Sequence, residues 1–527
     1  MGPPLVAALP LRALFGPGYL LQVDVAFGPR IAPVQWTFYA PVSVALHAVQ
    51  WAIGGALTGR IYAFLGLAIC GFGAMVLVRD KRWWIQCAVG VLAMLNPFVY
   101  DRLVEGQWSV LVATGGLFLF VAAWLALQRR PTVRTAAATA GAGLLTVVFS
   151  ANFVGILLVT AIGLSIAATR WREPVQRRLT LAALISIAVL STYGVIPFFI
   201  NHSGTTYATY KTVTTFSAAD FAAFRATPDP HFGVFAALAG VYGEWSERIG
   251  RFVVADFEFP WAILATIVLV GLAIAGALLT ASRAWFVLLG AAGIVVSGST
   301  AVTWGRQAVL TLAQHIPIVA AYREPQKWDV LWLVALVVLG AEGIERLGSL
   351  AARRLGRREV GPPLAALMVA ASIAPAGFVE LRDTASVVTP VSYPASWDRG
   401  AAYLQSHVPA DSPVVVLPWH LYETLPFVGR PTENPADVFF PGRLVISNDP
   451  ELPGTLPADP IGSGAVQPEG CALAQAVRAS GIRWALVIPG APAGALNEAA
   501  LERCGFRAAF GSGTELVVLQ DAGARAG

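Results

Sequence analysis

Through residues 1–382 the apolar positions run in long blocks broken by short polar punctuation, with neither strict alternation nor a single apolar face. Blocks near 4–21, 60–78, 84–100, 109–127, 135–150, 153–169, 179–200, 260–281, 284–299, 328–345 and 361–380 approach the roughly 20 apolar residues that a helix needs to cross a bilayer. The pattern predicts a mainly α, polytopic membrane protein with about eleven transmembrane helices. Beyond residue 382 the pattern changes. SPVVVLPW, GRLVIS, IRWALVIPG and TELVVLQD read as short β-strands, while SWDRGAAYLQSHV, CALAQAVRAS and LNEAALERCG read as helices. This alternation predicts an α/β domain over 383–527. Pro and Gly crowd the stretch from Pro426 to Pro468, which reads as a long irregular excursion.

Composition supports the membrane reading. The chain is 56% hydrophobic and 13% charged, with a mean hydropathy of +0.65, which excludes an ordinary soluble domain of this size. A formal charge of +5 would by itself admit a nucleic-acid partner. The distribution argues otherwise. Arg79, Lys81 and Arg82, then Arg129, Arg130 and Arg134, then Arg170, Arg172, Arg177 and Arg178, then Arg283, and finally Arg346, Arg353, Arg354, Arg357 and Arg358 fall in every second connection. That bias sets membrane orientation, and no nucleic acid is expected. It predicts a multi-pass plasma-membrane protein with a cytoplasmic N-terminus. The connections 22–59, 101–108, 201–259 and 300–327 and the C-terminal domain then lie outside. Within the first of these, QWTFYAPVSVALHAVQWAIGG reads as a segment lying along the interface. Pro3–Phe15 contains Arg12 and lacks a small-residue cleavage site, so it reads as a shortened first span rather than a signal peptide. Cys70 and Cys87 lie in apolar blocks, whereas Cys471 and Cys504 lie in the outer domain, where they are expected to form a disulfide.

Three polar motifs interrupt the apolar pattern on the predicted outer side. In PGYLLQVDVAFGPR, Asp24 follows the first block; it is either a solvated helix end or a carboxylate at a surface site. In NPFVYDRLVEGQW, Asn96 and Pro97 end a helix, and Asp101, Arg102, Glu105 and Gln107 occupy the turn that follows. They read either as a hydrated hairpin with exposed ion pairs of little energetic value, or as the polar wall of an outward cavity. In the second reading Gln107 supplies a donor and Trp108 a stacking face for a ring-shaped ligand. In AAYREPQKWD, Arg323 and Lys327 read either as interfacial anchors or as two fixed cations suited to a phosphate. The loop 201–259 offers His202, next to a Pro-containing span end, as a further residue able to approach the site; Asp229, Glu244 and Trp245 read as ordinary surface residues. His420 and Trp419 in LPWHLYE read as packing residues. No metal-ligand spacing, Walker A motif, GxSxG elbow, HExxH or Rossmann glycine pattern is present. Nucleotide hydrolysis and peptide hydrolysis are therefore not expected.

The segments LLQVDVAFGP, NPFVYDRLVEGQW and YREPQKW, with the terminal α/β domain, resemble the GT-C superfamily of integral-membrane glycosyltransferases. That group includes YfhO-like proteins and the actinobacterial arabinofuranosyl- and mannosyltransferases. The resemblance implies a carboxylate in the first outer loop acting as general base on an acceptor hydroxyl, which here is Asp24. It implies a polyprenyl-phosphate-linked sugar as donor, an envelope glycan or protein as acceptor, and a cationic site for the lipid phosphate, here Arg323 and Lys327. Many members carry paired acids in that loop, whereas Asp24 stands alone, so neither a metal nor another cofactor is expected. Two other readings remain: a transporter or flippase of envelope precursors, which predicts charges buried mid-span, and a non-catalytic glycan-binding or scaffolding member of the same fold.

Overall fold

The computed structural model describes residues 16–31, 40–150, 152–167, 173–200, 218–249, 261–279, 285–315, 319, 324–356, 363, 367, 384–447, 459–466, 470–511 and 515–523. His202, Arg323 and, apart from 363 and 367, the block 361–380 lie outside the described residues. The chain forms two compact units. One comprises Met1–Arg12, Gln35–Ser43 and Tyr62–Val387, the other Ala13–Val34, Val44–Ile61 and Val388–Gly527.

The first part of the chain is helical. Its helices are α1 (Ala40–Ile53), α2 (Gly55–Leu77), α3 (Trp83–Met94), α4 (Pro97–Glu105), α5 (Trp108–Arg129), α6 (Val133–Phe149), α7 (Phe153–Ala167), α8 (Pro174–Ile200), α9 (Ala218–Ala223), α10 (Val234–Ala239), α11 (Trp261–Leu279), α12 (Trp285–Gly298), α13 (Thr303–His315) and α14 (Val330–Arg354). Among the described residues α2, α5 and the Pro174–Tyr193 part of α8 are long and apolar enough to cross a membrane. Two bent pairs raise the number to five: α3 with α4, at 48°, and Trp285–Ala301 with α13, at 93°. The difference from the eleven apolar blocks has local causes. α6 and α7 have only 17 and 15 residues, and α14, with 25, carries Glu342, Glu345 and Arg346 within its length. The stretch read as interfacial holds α1, which exposes Val44, Val49, Trp51 and Ile53.

α14 forms the core of its surroundings. Every residue from Val330 to Ile344 is buried, so a helix apolar on all sides up to Gly340 is enclosed by others. Glycines let α11 approach it closely: a Cβ on Gly276 would collide with the Leu339 carbonyl, and one on Gly343 with the Leu272 carbonyl.

The predicted end of the first span is not helical. Tyr19 bridges Val391, and Leu21–Gln22 (β1) pairs antiparallel with Val25–Ala26 (β2). Asp24 therefore sits in a two-residue hairpin turn, not at a helix end. This hairpin belongs to the second unit, where the Tyr393 hydroxyl donates to Phe27 O at 3.0 Å and Arg430 Nη2 to Leu21 O at 3.2 Å.

The second unit is built on a sheet of β3 (Pro413–Leu417), β6 (Arg443–Val445), β7 (Trp484–Val487), β8 (Phe506–Phe510) and β9 (Val517–Asp521), in the order β6-β3-β7-β9-β8. β3 runs parallel to β6 and β7; β9 runs antiparallel to β7 and β8. Val414 and Val416 enter one apolar cluster with Trp397, Phe439 and Leu486, while Val415 and Leu417 enter another with Leu473, Val477 and Leu501. Both faces are thus covered, which is why these strands read as unbroken apolar runs. The covering helices include α15 (Ala395–His407), α16 (Ala436–Phe439), α17 (Pro460–Val466), α18 (Ala472–Ala479) and α19 (Gly494–Arg503). The stretch read as irregular contains α16, β6 and one strand of a small hairpin, β4 (Tyr422–Thr424) with β5 (Pro431–Glu433).

Cys471, just before α18, and Cys504, just after α19, form a disulfide across 33 residues. Replacing both by Ser is expected to cost about 2–4 kcal/mol. Thermal unfolding of the full chain with and without reductant checks this: the parent should melt lower when reduced, and the Ser variant should be insensitive to reductant.

Candidate functional site

Two polar clusters stand out, one in each unit. The first is built around α4. Asn96 caps this helix by accepting the Val99 N–H at 3.2 Å, Pro97 takes its first turn, and Gly106 closes it at φ 90°. Asn96–Pro97 thus ends α3 and begins α4. The expected external turn is instead a helix whose nine residues are all buried.

Burial forces the charges of α4 to find partners. Arg102, 1% exposed, donates from Nη1 to Glu105 Oε2 at 3.2 Å, Gln107 Oε1 at 2.9 Å and Glu244 Oε1 at 3.1 Å. Its guanidinium lies 5.4 Å from the Phe98 ring centroid. Ser246 donates to Glu244 from both its backbone N–H and its hydroxyl. Glu247 accepts N–H bonds from Gly243 and Glu244, each at 2.9 Å.

The Glu247 and Asp101 side chains are also hydrogen-bonded, which requires one of the two carboxyls to carry a proton. Burial, and then repulsion from Glu244, push Glu247 up to about 8, against the bond from Asp101, which favours its ionised form. Glu244 is raised as well, burial outweighing the pull of Arg102. Between the ordinary carboxyl range and about pH 8 the folded chain keeps a proton on Glu247 that the unfolded chain releases. Stability therefore falls as pH rises through this window. The melting temperature of the parent should drop between pH 5.5 and 8.5, and Glu247→Gln should drop less. Equal drops would contradict this assignment.

Trp108 does not provide an open stacking face. It is 0% exposed, donates from Nε1 to Leu103 O at 2.9 Å and meets Tyr62 edge-on at 5.8 Å. Lys327, in the 3-10 turn Pro325–Asp329, forms a buried ion pair with Glu324 at 2.9 Å. Glu244 and Trp245 are buried rather than on the surface, and so is Asp229, which accepts from the Tyr242 hydroxyl at 2.7 Å. The arrangement of Asp101, Arg102, Glu105, Glu244, Glu247 and Ser246 is a closed proton-holding network. Nothing in the sequence marks Glu244, Ser246 and Glu247 as members, apart from their density beside Trp245.

The second cluster surrounds Asp24. This side chain is exposed, and the Tyr422 hydroxyl reaches Asp24 Oδ1 at 3.4 Å. Tyr422 lies opposite Glu433 in the β4–β5 ladder, and the Ala26 N–H donates to the Glu433 carboxyl. Burial, then the charges of Asp437 and Asp24, push Glu433 up to about 8; burial pushes Asp437 up to about 6. Asp24 is alone in its sequence motif but not in space. Near neutral pH it is an exposed carboxylate beside a phenol and a protonated carboxyl, an arrangement suited to accepting a proton from a bound hydroxyl. Glu433 and Asp437 come from the Pro-rich stretch, where no motif announces them.

No protein-family model matches the chain, and no curated protein matches it in sequence. Solved structures do match. Arabinofuranosyltransferase AftD from Mycobacteria superposes with a TM-score of 0.63 at 15% identity, over 98% of this chain and 39% of that one. The chain therefore shares the fold of this structure. A mutant form of the same mycobacterial enzyme gives a TM-score of 0.63 at 15% identity, over 98% of this chain and 41% of that one. The chain spans less than half the length of these structures.

Proposed function

We propose that this chain is a GT-C-type glycosyltransferase of the plasma membrane. It moves a sugar from a polyprenyl-phosphate donor to an envelope glycan or protein on the outer face. The similarity to an arabinofuranosyltransferase over 98% of the chain carries this reading. In this proposal about eleven segments span the bilayer, the N-terminus is cytoplasmic and the C-terminal α/β domain lies outside, where a Cys471–Cys504 disulfide is chemically at home.

Asp24 takes the proton of the acceptor hydroxyl as its oxygen attacks the anomeric carbon. The bond from that carbon to the phosphate oxygen breaks with inversion, and the electron pair leaves on the lipid phosphate. Arg323 and Lys327 meet that charge, Lys327 exchanging Glu324 for phosphate. Asp101, Arg102, Glu105 and Gln107 support the substrate wall, and His202 approaches the acceptor. The phosphosugar bond supplies the driving force, so no nucleotide is consumed. The test is transfer by the purified full chain in lipid from a polyprenyl-phosphate sugar to an envelope glycan; absence of transfer across a panel of such donors would overturn the proposal.

One observation favours transport as a second reading. The chain buries Asp101, Arg102 and Glu105 within a bent helix pair of spanning character, and buried intramembrane charge often marks a translocation path. Liposomes separate the two: movement of labelled lipid-linked sugar across the bilayer without glycosidic transfer would favour the flippase.

A further inference from the structure

A cleft of about 380 Å³ lies between the start of α3 and the last turns of α14, lined by Arg82, Trp84, Glu345, Gly348, Ser349 and Arg353 among others. Its size is at the small end for ligand sites. Gly348, Ser349 and Ala352 form a floor of small residues that leaves this space open. The charges around it are unequal. Lys81 reaches both Glu342 and Glu345 at 2.7 Å, so the two acids exceed this one cation by a charge, which Arg82 and Arg353 together outweigh. Arg82 and Arg353 both line the cleft, and among the described residues neither takes part in an ion pair; Arg353 makes only a bond from Nε to the Ser349 carbonyl, at 3.3 Å. Arg82 is also the cap residue of α3, and no side chain caps that helix start, so its first N–H groups add positive potential at the mouth. Trp83, beside it, is 75% exposed, as an aromatic anchored at headgroup level would be.

We propose that this cleft binds the headgroup phosphate of an anionic phospholipid from the cytoplasmic leaflet. The charge bias assigns Arg79, Lys81, Arg82, Arg346, Arg353 and Arg354 to that side, and basic pockets between helices there suit acidic lipid headgroups. Two guanidinium groups offer paired donors to phosphate oxygens, and the exposed Trp83 lies where the glycerol and upper acyl chains begin. The proposal does not depend on sugar transfer, because none of the residues named in that mechanism lines the cleft.

The test uses the delipidated full chain in detergent, with binding followed by native mass spectrometry and thermal shift. Phosphatidylglycerol should bind at least about tenfold more tightly than phosphatidylcholine, and Arg82→Ala with Arg353→Ala should abolish the preference. That variant should melt with the parent when no lipid is present. Equal binding of the two lipids, or a preference retained in the variant, would overturn the proposal. Inorganic phosphate displacing the lipid at millimolar concentration supports the phosphate contact; inorganic phosphate binding where phosphatidylglycerol does not would overturn the lipid assignment. If the double variant melts lower, Arg353→Gln alone is compared, and it should weaken phosphatidylglycerol while leaving phosphatidylcholine unchanged.

Discussion

Asp24→Asn is expected to lower transfer at least about 100-fold, because a positioned base contributes roughly 10²–10⁴ to rate. The melting temperature should stay within about a degree, since an exposed turn residue carries little stability. Asn keeps the size of the side chain and can still meet the Tyr422 hydroxyl, so only proton acceptance is lost. The expected loss is therefore in kcat, with KM for the lipid donor nearly unchanged. Asp24→Glu, one methylene longer, should recover part of the rate. A variant Asn enzyme that transfers as fast as the parent would remove Asp24 from the mechanism, and attention would pass to Glu433. Because burial, then the charges of Asp437 and Asp24, push Glu433 up to about 8, Glu433→Gln should then change the alkaline limb of the rate profile.

What was legible in the sequence follows burial. The strand VVVL announces itself because both of its faces are covered, and α15, α18 and α19 announce themselves through helical spacing. The β1–β2 hairpin does not, since strands of two residues have no readable period. Leu20 and Leu21 looked like the end of a membrane helix because they are buried, though in a hairpin. Asn96–Pro97 shows a different ambiguity. The pair stops one helix and starts the next, and the stop alone suggests a loop. Polar residues such as Glu244 and Glu247 spell the same sequence whether solvated or enclosed; only the arrival of Arg102 and of backbone N–H groups from Gly243 and Glu244 makes their burial tolerable. The grouping of Asp24 with Glu433 was out of reach for the same reason, as it depends on a contact across some 400 residues of chain.

Arg102→Met should destabilise the folded chain by about 3–5 kcal/mol, the range for removing one partner of a buried ion pair. The cost arises from the carboxylates left behind. Glu105 and Glu244 lose their shared cation while remaining 1% and 3% exposed, and water cannot replace it without opening the structure. Against a typical total of about 5–15 kcal/mol, much of the protein should fail to accumulate at 37 °C. Arg102→Lys should rescue little, because an ammonium cannot span Glu105, Gln107 and Glu244 while lying against Phe98. Combining Arg102→Met with Glu244→Gln tests the origin of the loss. If uncompensated charge dominates, the double variant should melt higher than Arg102→Met alone, a coupling that a simple packing defect would not produce. Additive losses would instead mean that Arg102 acts through the packing of its side chain against Phe98, and the proton on Glu247 would then have no charged network to serve.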